Sequence, residues 1–124
     1  MDTTRFKEGF LHIFKAAGYS LAGLRTGLRL SLAFRQEAAI LVLLAILLAL
    51  YGKPCTTWLI GMGAWLTVMM CELVNTALEE TLNLITREYS ESVKNAKDMA
   101  SAAVFLMLAL NAALWFCMFI LRVF

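Results

Sequence analysis

Three long apolar segments constrain the fold of this chain more than any other feature. They run over residues 38–51, 58–78 and 99–121. About 20 apolar residues in a helix cross the hydrocarbon core of a bilayer, and the first segment reaches that length when Ala33 and Phe34 are added. With 61% hydrophobic residues and a mean hydropathy of +0.75, the composition is typical of an integral membrane protein. We therefore predict one all-α membrane domain over residues 1–124, with spans at about 34–51, 58–78 and 99–121.

Residues 4–33, ahead of the first span, have an amphipathic pattern. Their apolar side chains recur at spacings of three and four: Phe6, Phe10, Ile13, Phe14, Ala17, Leu21, Leu24, Leu28 and Leu32. This pattern predicts a helix that lies in the membrane interface, although it fits a plain surface anchor equally well. Gly18, Gly23 and Gly27 either weaken this helix or permit close packing.

The distribution of lysine and arginine predicts the orientation of the spans. Nine of these residues lie in the N-terminal segment and in segment 79–98, namely Arg5, Lys7, Lys15, Arg25, Arg29, Arg35, Arg87, Lys94 and Lys97. The opposite side has two, Lys53 and Arg122. Because basic residues favour the cytoplasmic side, we expect the N-terminus and segment 79–98 in the cytoplasm. A net charge of +2 without a basic run gives no indication of a nucleic-acid partner.

A polar stripe lies at the end of the second apolar segment. Glu72, Asn75 and Glu79 stand at i, i+3 and i+7, so a helix places them on one face. A charged side chain in a span costs about 2.5–3.5 kcal/mol near the bilayer centre. The stripe is therefore either hydrogen-bonded inside a bundle or active in chemistry at the membrane edge. Since three short spans enclose little interior, we expect a homo-oligomer whose polar faces meet between copies.

The polar residues on the cytoplasmic side could together carry out phosphoryl transfer. One carboxylate could accept a proton from a lipid hydroxyl, a second could hold Mg²⁺, and a lysine could neutralise phosphate charge. The sequence has neither a P-loop nor a kinase-type glycine loop. The residues available for this chemistry are Glu72, Asn75, Glu79, Lys97, Asp98, Ser101, His12, Lys15, Tyr19 and Ser20.

Each of these groups also has a structural interpretation. Glu72 and Asn75 could be hydrogen-bond partners between helices. Glutamates 79, 80 and 88 could form a solvated helix face, and the adjacent Lys97 and Asp98 could be an ion pair at a turn or the start of a helix. From the spacing alone, both interpretations stay open.

Several segments of the chain resemble the prokaryotic diacylglycerol kinase family. The similarity covers about residues 6–121 and is carried by AAGYS at 16–20, AFRQE at 33–37, ELVNTALE at 72–79 and KDMASAAV at 97–104. The first two segments favour the diacylglycerol kinase branch over the undecaprenol kinase branch. The resemblance implies a homotrimer in the bacterial inner membrane, with a surface helix and three spans in each copy and active sites shared between copies.

The reaction that the resemblance implies is phosphorylation of diacylglycerol to phosphatidic acid by ATP and Mg²⁺. By position, Glu72 would be the general base, Asn75 would support it, and Glu79 would bind the metal. Residues implied in nucleotide binding are His12, Tyr19, Glu79, Glu88, Lys97 and Asp98. Residues implied in binding the lipid substrate are Ser20, Arg35, Glu37, Glu72 and Ser101.

This chain departs from the family pattern at three positions. Ser31 occupies the position of a second metal-binding glutamate, Asn83 that of an aspartate, and His12 that of another basic residue. Glu80 is a poor substitute for the missing carboxylate because it lies about 100° around the helix from Glu79. The hydroxyl of Ser31 can support a water-mediated contact to the metal but brings no charge. Three consequences are open. The metal is held by Glu79 and ATP alone, with weaker Mg²⁺ affinity; the substrate is another lipid alcohol, such as undecaprenol; or the protein is a non-catalytic, lipid-binding trimer.

Overall fold

The computed structural model is all-α over the residues that it describes. These are residues 3–86 and 88–120, with side chains from His12 onward. The elements are α1 (Thr3–Leu30), α2 (Leu32–Leu50), α3 (Cys55–Ile85) and α4 (Glu91–Phe119). Helices α2, α3 and α4 are each long and apolar enough to cross a membrane, as predicted. Predictions for Arg5, Phe6, Lys7, Phe10, Arg87 and Arg122 fall outside the described side chains.

Ser31 separates the first two helices. The amphipathic helix, expected over 4–33, ends at Leu30, and α2 begins two residues later. The Ser31 backbone is extended, with φ −95° and ψ 122°, and its hydroxyl accepts a hydrogen bond from the backbone N–H of Phe34 at 2.9 Å. This bond is an N-cap, which satisfies a donor in the first turn of α2. The chain therefore breaks at a capping serine, and the three glycines lie inside α1.

Gly27 allows α1 to approach α3 closely. A Cβ atom added there would clash with the side chain of Leu73 and would lie 3.3 Å from the ring of Phe34. The same atom at Gly18 or Gly23 would meet open space. Of the two roles predicted for the glycines, close packing therefore applies to Gly27.

The buried apolar core lies mainly between α2 and α3. It consists of Phe34, Trp65, Val68 and Met69. The indole N–H of Trp65 donates to the backbone carbonyl of Glu37 at 2.9 Å, so the core also fixes the first turns of α2. Most other large apolar side chains are exposed, as expected for helices that face lipid.

Helix α4 packs along α3 for much of its length. Gly61 permits this packing, because a Cβ atom there would lie 3.0 Å from the ring of Trp115. Helix α3 continues past the predicted span to Ile85, and α4 begins at Glu91, well before its apolar segment. The polar segment 79–98 thus consists of the last turns of α3, a short connection and the first turns of α4.

Candidate active site

Glu72 lies at the centre of a buried hydrogen-bonded group. Its side chain is 6% exposed, and its Oε1 atom accepts hydrogen bonds from the hydroxyls of Ser31 at 2.7 Å and Thr76 at 3.3 Å. We expected a single copy to leave the Glu72 face incompletely buried. In the single copy Asn75 and Glu79 on this face are half-buried, whereas the α1–α2 junction covers the Glu72 carboxylate itself.

Asn75 and Glu79 continue the polar face of α3 beyond Glu72. Both side chains are half-buried. The Oδ1 atom of Asn75 is buried and has no hydrogen-bond partner in the described part of the chain. A buried polar atom without a partner is costly, about 1–3 kcal/mol, so this oxygen is suited to a ligand that enters the site.

Glu37 is a second buried carboxylate, on the first turns of α2. It is 5% exposed, and its Oε2 atom has no partner among the described residues. Arg35, two residues earlier, is exposed and donates to the carbonyl of Leu28 at 3.4 Å. The two side chains therefore face different surroundings, although the family resemblance implies lipid binding for both.

A second polar group lies where α3 turns into α4. Lys97 Nζ donates to Asn83 Oδ1 at 2.8 Å, and Lys94 Nζ forms an exposed ion pair with Asp98 at 2.7 Å. The backbone N–H of Glu88 donates to the Thr86 hydroxyl at 3.1 Å. We had considered an ion pair between Lys97 and Asp98, and this is wrong, because Lys97 reaches α3 while Asp98 pairs along its own helix.

Glu79 stands between these two groups on the same face of α3. Glu72 and Asn83 are eleven residues apart, which corresponds to a rise of roughly 16 Å and returns to the same side of the helix. Glu79 lies one turn before Asn83. Glu80 and Glu88 are exposed, whereas Glu79 is half-buried, so the solvated-face interpretation fits the first two better than Glu79.

Two cavities adjoin these groups. A groove of about 770 Å³ lies between α1 and α3, and its lining residues are Ser20, Gly23, Leu24, Thr26, Gly27, Leu30, Leu73, Thr76, Ala77 and Glu80. Thr76 both lines this groove and contacts Glu72. A smaller cavity of about 270 Å³ lies at the α3–α4 turn and includes Asn83, Glu88 and Lys97 in its lining.

Several predicted site residues are exposed and do not belong to the buried hydrogen-bonded group around Glu72. His12, Tyr19 and Ser101 are exposed, and the exposed hydroxyl of Ser20 donates to the carbonyl of Ala16 within α1. Sequence reasoning missed Thr76 and did not assign Asn83 to the site. Both could have been found from spacing, since Thr76 follows Glu72 by four residues and Asn83 follows Glu79 by four.

The oxygen atoms on α3 are chemically suited to Mg²⁺. Magnesium usually takes one or two protein carboxylates together with water and phosphate oxygens, so it does not require a dense cluster of acidic residues. Within residues 12–86 and 88–120, no three His, Cys, Asp or Glu side chains group as a metal cluster. Glu79 and the unpartnered oxygen of Asn75 lie one turn apart on α3 and could both face such an ion.

Comparison with known proteins identifies the family. Residues 18–119 match the family profile described as prokaryotic diacylglycerol kinase. The chain belongs to the prokaryotic diacylglycerol kinase family. Diacylglycerol kinase of Escherichia coli K12 is 39% identical over 108 residues, which cover 86% of this chain and 88% of the relative. Diacylglycerol kinase of Pseudomonas aeruginosa is 35% identical over 117 residues, with 93% and 95% covered.

Family membership confirms the prediction that this protein is a lipid kinase, and diacylglycerol phosphorylation is the activity that the family indicates. Together with three helices able to span a bilayer, it also supports a bacterial membrane protein. The match includes the α1–α2 junction, both glutamates of the α3 stripe and the first turns of α4. The two polar groups described above therefore lie inside the region that defines the family.

Proposed function

We propose that this protein transfers the γ-phosphoryl group of ATP to the free hydroxyl of diacylglycerol, with Mg²⁺, and releases phosphatidic acid and ADP. The observation that carries the proposal is the buried Glu72 carboxylate. Both hydrogen bonds that it receives from described residues end on Oε1, so Oε2 is available to accept a proton. A general base must lie within hydrogen-bond reach of the proton that it takes, and a site beneath the headgroups meets this condition for a lipid alcohol.

In this reaction Glu72 removes the hydroxyl proton while the lipid oxygen forms a bond to the γ-phosphorus. The bond between that phosphorus and the bridging oxygen of ADP breaks, and the proton later leaves Glu72 for solvent. Asn75 supports the base from the next turn, where its Oδ1 atom can accept a hydrogen bond from a bound group. Phosphoryl transfer depends mainly on such positioning and on neutralisation of charge.

Glu79 would hold Mg²⁺ together with the phosphate oxygens of ATP. When bound, the ion would neutralise charge on the transferred phosphoryl group. Lys97 on α4 donates a hydrogen bond to Asn83, which lies one helical turn after Glu79 on α3. Lys97, Asn83 and Glu88 all line the cavity at the α3–α4 turn. We assign this cavity to the nucleotide, with Asp98, His12 and Tyr19 as further contacts.

The groove between α1 and α3 is suited to the lipid. Its volume of about 770 Å³ is within the usual range of roughly 300–1,000 Å³ for small-molecule sites, and its lining is mainly apolar. Because Thr76 lines the groove and contacts Glu72, a lipid in the groove would have its hydroxyl near the base. Ser20 lines the same groove, and we assign Arg35, Glu37 and Ser101 to the headgroup side.

We further propose that the active unit is a homotrimer in the inner membrane, with the N-terminus and segment 79–98 in the cytoplasm. The excess of basic residues on that side supports the orientation. The half-buried Asn75 and Glu79 and the exposed Tyr19 and Ser101 support an assembly that completes the site with residues from a neighbouring copy. Cross-linking of purified protein in micelles of several detergents, with products resolved by mass, tests the trimer.

Phosphate transfer to a panel of lipids tests the function. The purified protein is incubated in mixed micelles with Mg²⁺ and γ-labelled ATP, and with diacylglycerol, undecaprenol or no added lipid. We expect label in phosphatidic acid. Label only in undecaprenyl phosphate would show that the substrate is undecaprenol and not diacylglycerol. If no lipid is labelled and nucleotide does not raise the thermal stability, the protein is non-catalytic.

A further inference from the structure

The hydroxyl of Ser31 has both a donor and an acceptor role. Its single proton is donated to Glu72 Oε1 at 2.7 Å, a length typical of a strong bond to a carboxylate. Its oxygen accepts the backbone N–H of Phe34 at 2.9 Å. The side chain is 7% exposed, so water competes little for either bond.

The backbone holds this hydroxyl in a fixed place. The N–H of Ser31 donates to the carbonyl of Gly27 at 2.9 Å, at the end of α1, while its side chain caps α2. Three residues later, Phe34 is 2% exposed in the core against α3. Ser31 therefore connects the junction of two helices to a carboxylate on a third helix, 41 residues away in sequence.

We infer that Ser31 is a positioning residue that orients the Glu72 carboxylate for proton transfer. The inference rests on the proposed function, in which Glu72 is the base. Thr76 also donates to Oε1, but from the same helix as Glu72 and over a longer distance, 3.3 Å. Ser31 is thus the side chain that fixes the base relative to α1, which lines the groove proposed for the lipid.

A positioning role differs from the metal-binding role suggested by the position of Ser31 in the family pattern. A neutral hydroxyl brings no charge to Mg²⁺, and this one directs its proton at Glu72. Metal affinity should therefore depend on Glu79 and the nucleotide, whereas the rate of proton transfer should depend on Ser31.

Three substitutions at position 31 separate these roles. Ser31→Ala removes both the donor and the cap, Ser31→Thr keeps both, and Ser31→Asp keeps a cap but places a second carboxyl group beside Glu72, so that the two carboxyl groups share a proton. We expect kcat to fall about tenfold in the Ala variant, because one hydrogen bond to a charged group is lost. We expect a fall of about tenfold in the Asp variant, because the shared proton weakens Glu72 as a base, and a change within about twofold in the Thr variant. The KM values and the Mg²⁺ concentration for half-maximal rate should change by less than about twofold in the Ala variant. Thr67→Val is the matched control, since that hydroxyl donates to Ala64 within its own helix and is exposed.

Metal binding gives a readout that does not depend on turnover. Mn²⁺ binding is measured by electron paramagnetic resonance with a non-hydrolysable ATP analogue. Ser31→Ala should leave the Mn²⁺ affinity unchanged, whereas Glu79→Gln should weaken it about tenfold or more.

The inference is overturned if Ser31→Ala weakens Mn²⁺ binding as much as Glu79→Gln. It is also overturned if the kcat of Ser31→Ala equals that of the wild type, or if Ser31→Asp lowers the Mg²⁺ requirement with kcat retained. A wild-type protein that phosphorylates no lipid would remove the proposed function and this inference together, but an active wild type with an unimpaired Ser31→Ala variant removes this inference alone.

Discussion

Lys97 on α4 donates a hydrogen bond to Asn83 on α3, with 2.8 Å between Nζ and Oδ1. This bond crosses the connection between the two helices and holds the lysine at the edge of the cavity proposed for the nucleotide. An amide accepts the bond without cancelling the positive charge, so the lysine remains available to phosphate. The pair thus links the turn geometry to the proposed binding of ATP.

Removal of the Asn83 side chain should weaken ATP binding. In Asn83→Ala, Lys97 loses its acceptor, and we expect the KM for ATP to rise about threefold to tenfold with kcat little changed. Asn83→Asp keeps an acceptor but places a negative charge beside Lys97, so its KM for ATP should rise as well. Steady-state kinetics over a range of ATP concentrations measure both variants, with Asn95→Ala, an exposed amide on α4, as the control. Equal KM values in Asn83→Ala and the control would show that the bond does not position Lys97.

Substitution of Gly27 should separate α1 from α3. A Cβ atom there would clash with the end of the Leu73 side chain, which would have to shift, so Gly27→Ala should be less stable than Gly18→Ala and less active toward lipid. Gly18→Ala is the matched control, because its Cβ would meet open space and alanine favours the helix by about 0.8–1 kcal/mol. Thermal unfolding in detergent, followed by circular dichroism, measures the difference. Equal unfolding midpoints for the two variants would contradict the close approach of α1 to α3.

A second pair of glycines tests the packing of α3 on α4. Gly61 faces Trp115 and Met118, with 3.0 and 3.2 Å to a Cβ atom placed there, whereas Gly63 faces open space. We expect Gly61→Val to lower the midpoint of thermal unfolding and Gly63→Val to change it much less, since overpacking costs about 1–3 kcal/mol. A lower midpoint for Gly63→Val than for Gly61→Val would contradict the orientation of α3, in which Gly61 faces α4.

Asn75→Ala should separate stability from activity. The Oδ1 atom of Asn75 is buried without a partner among the described residues, so its removal should not destabilise the ligand-free protein and could raise its unfolding midpoint. The kcat of this variant should nevertheless fall about tenfold or more, because the support for Glu72 is lost. Unfolding midpoints without substrate and initial rates with saturating substrate are compared for the same preparation. A variant that loses stability and keeps its rate would assign Asn75 to the structure of the bundle.

The helical architecture and the polar face of α3 could be predicted from the sequence. Contacts between segments that are distant in the sequence could not. The length and hydropathy of three segments determine the spans, and the spacing of Glu72 and Glu79 determines their common face. The break at Ser31 was missed because a capping serine inside an amphipathic pattern does not disturb its periodicity. Burial of Glu72 by that junction and the bond from Lys97 to Asn83 depend on tertiary packing, which spacing along one helix does not specify.

The central claim is that the Glu72 carboxylate accepts the proton of the lipid hydroxyl. The most direct measurement is the initial rate of phosphatidic acid formation by Glu72→Gln in mixed micelles, with Glu91→Gln as the control for loss of a carboxylate. Glutamine retains an oxygen that can accept from Ser31 and Thr76, so the fold should persist, but it cannot act as the base. The account predicts a rate about 10²–10⁴-fold below that of the wild type, with the control unchanged. A Glu72→Gln rate within tenfold of the wild type would contradict it.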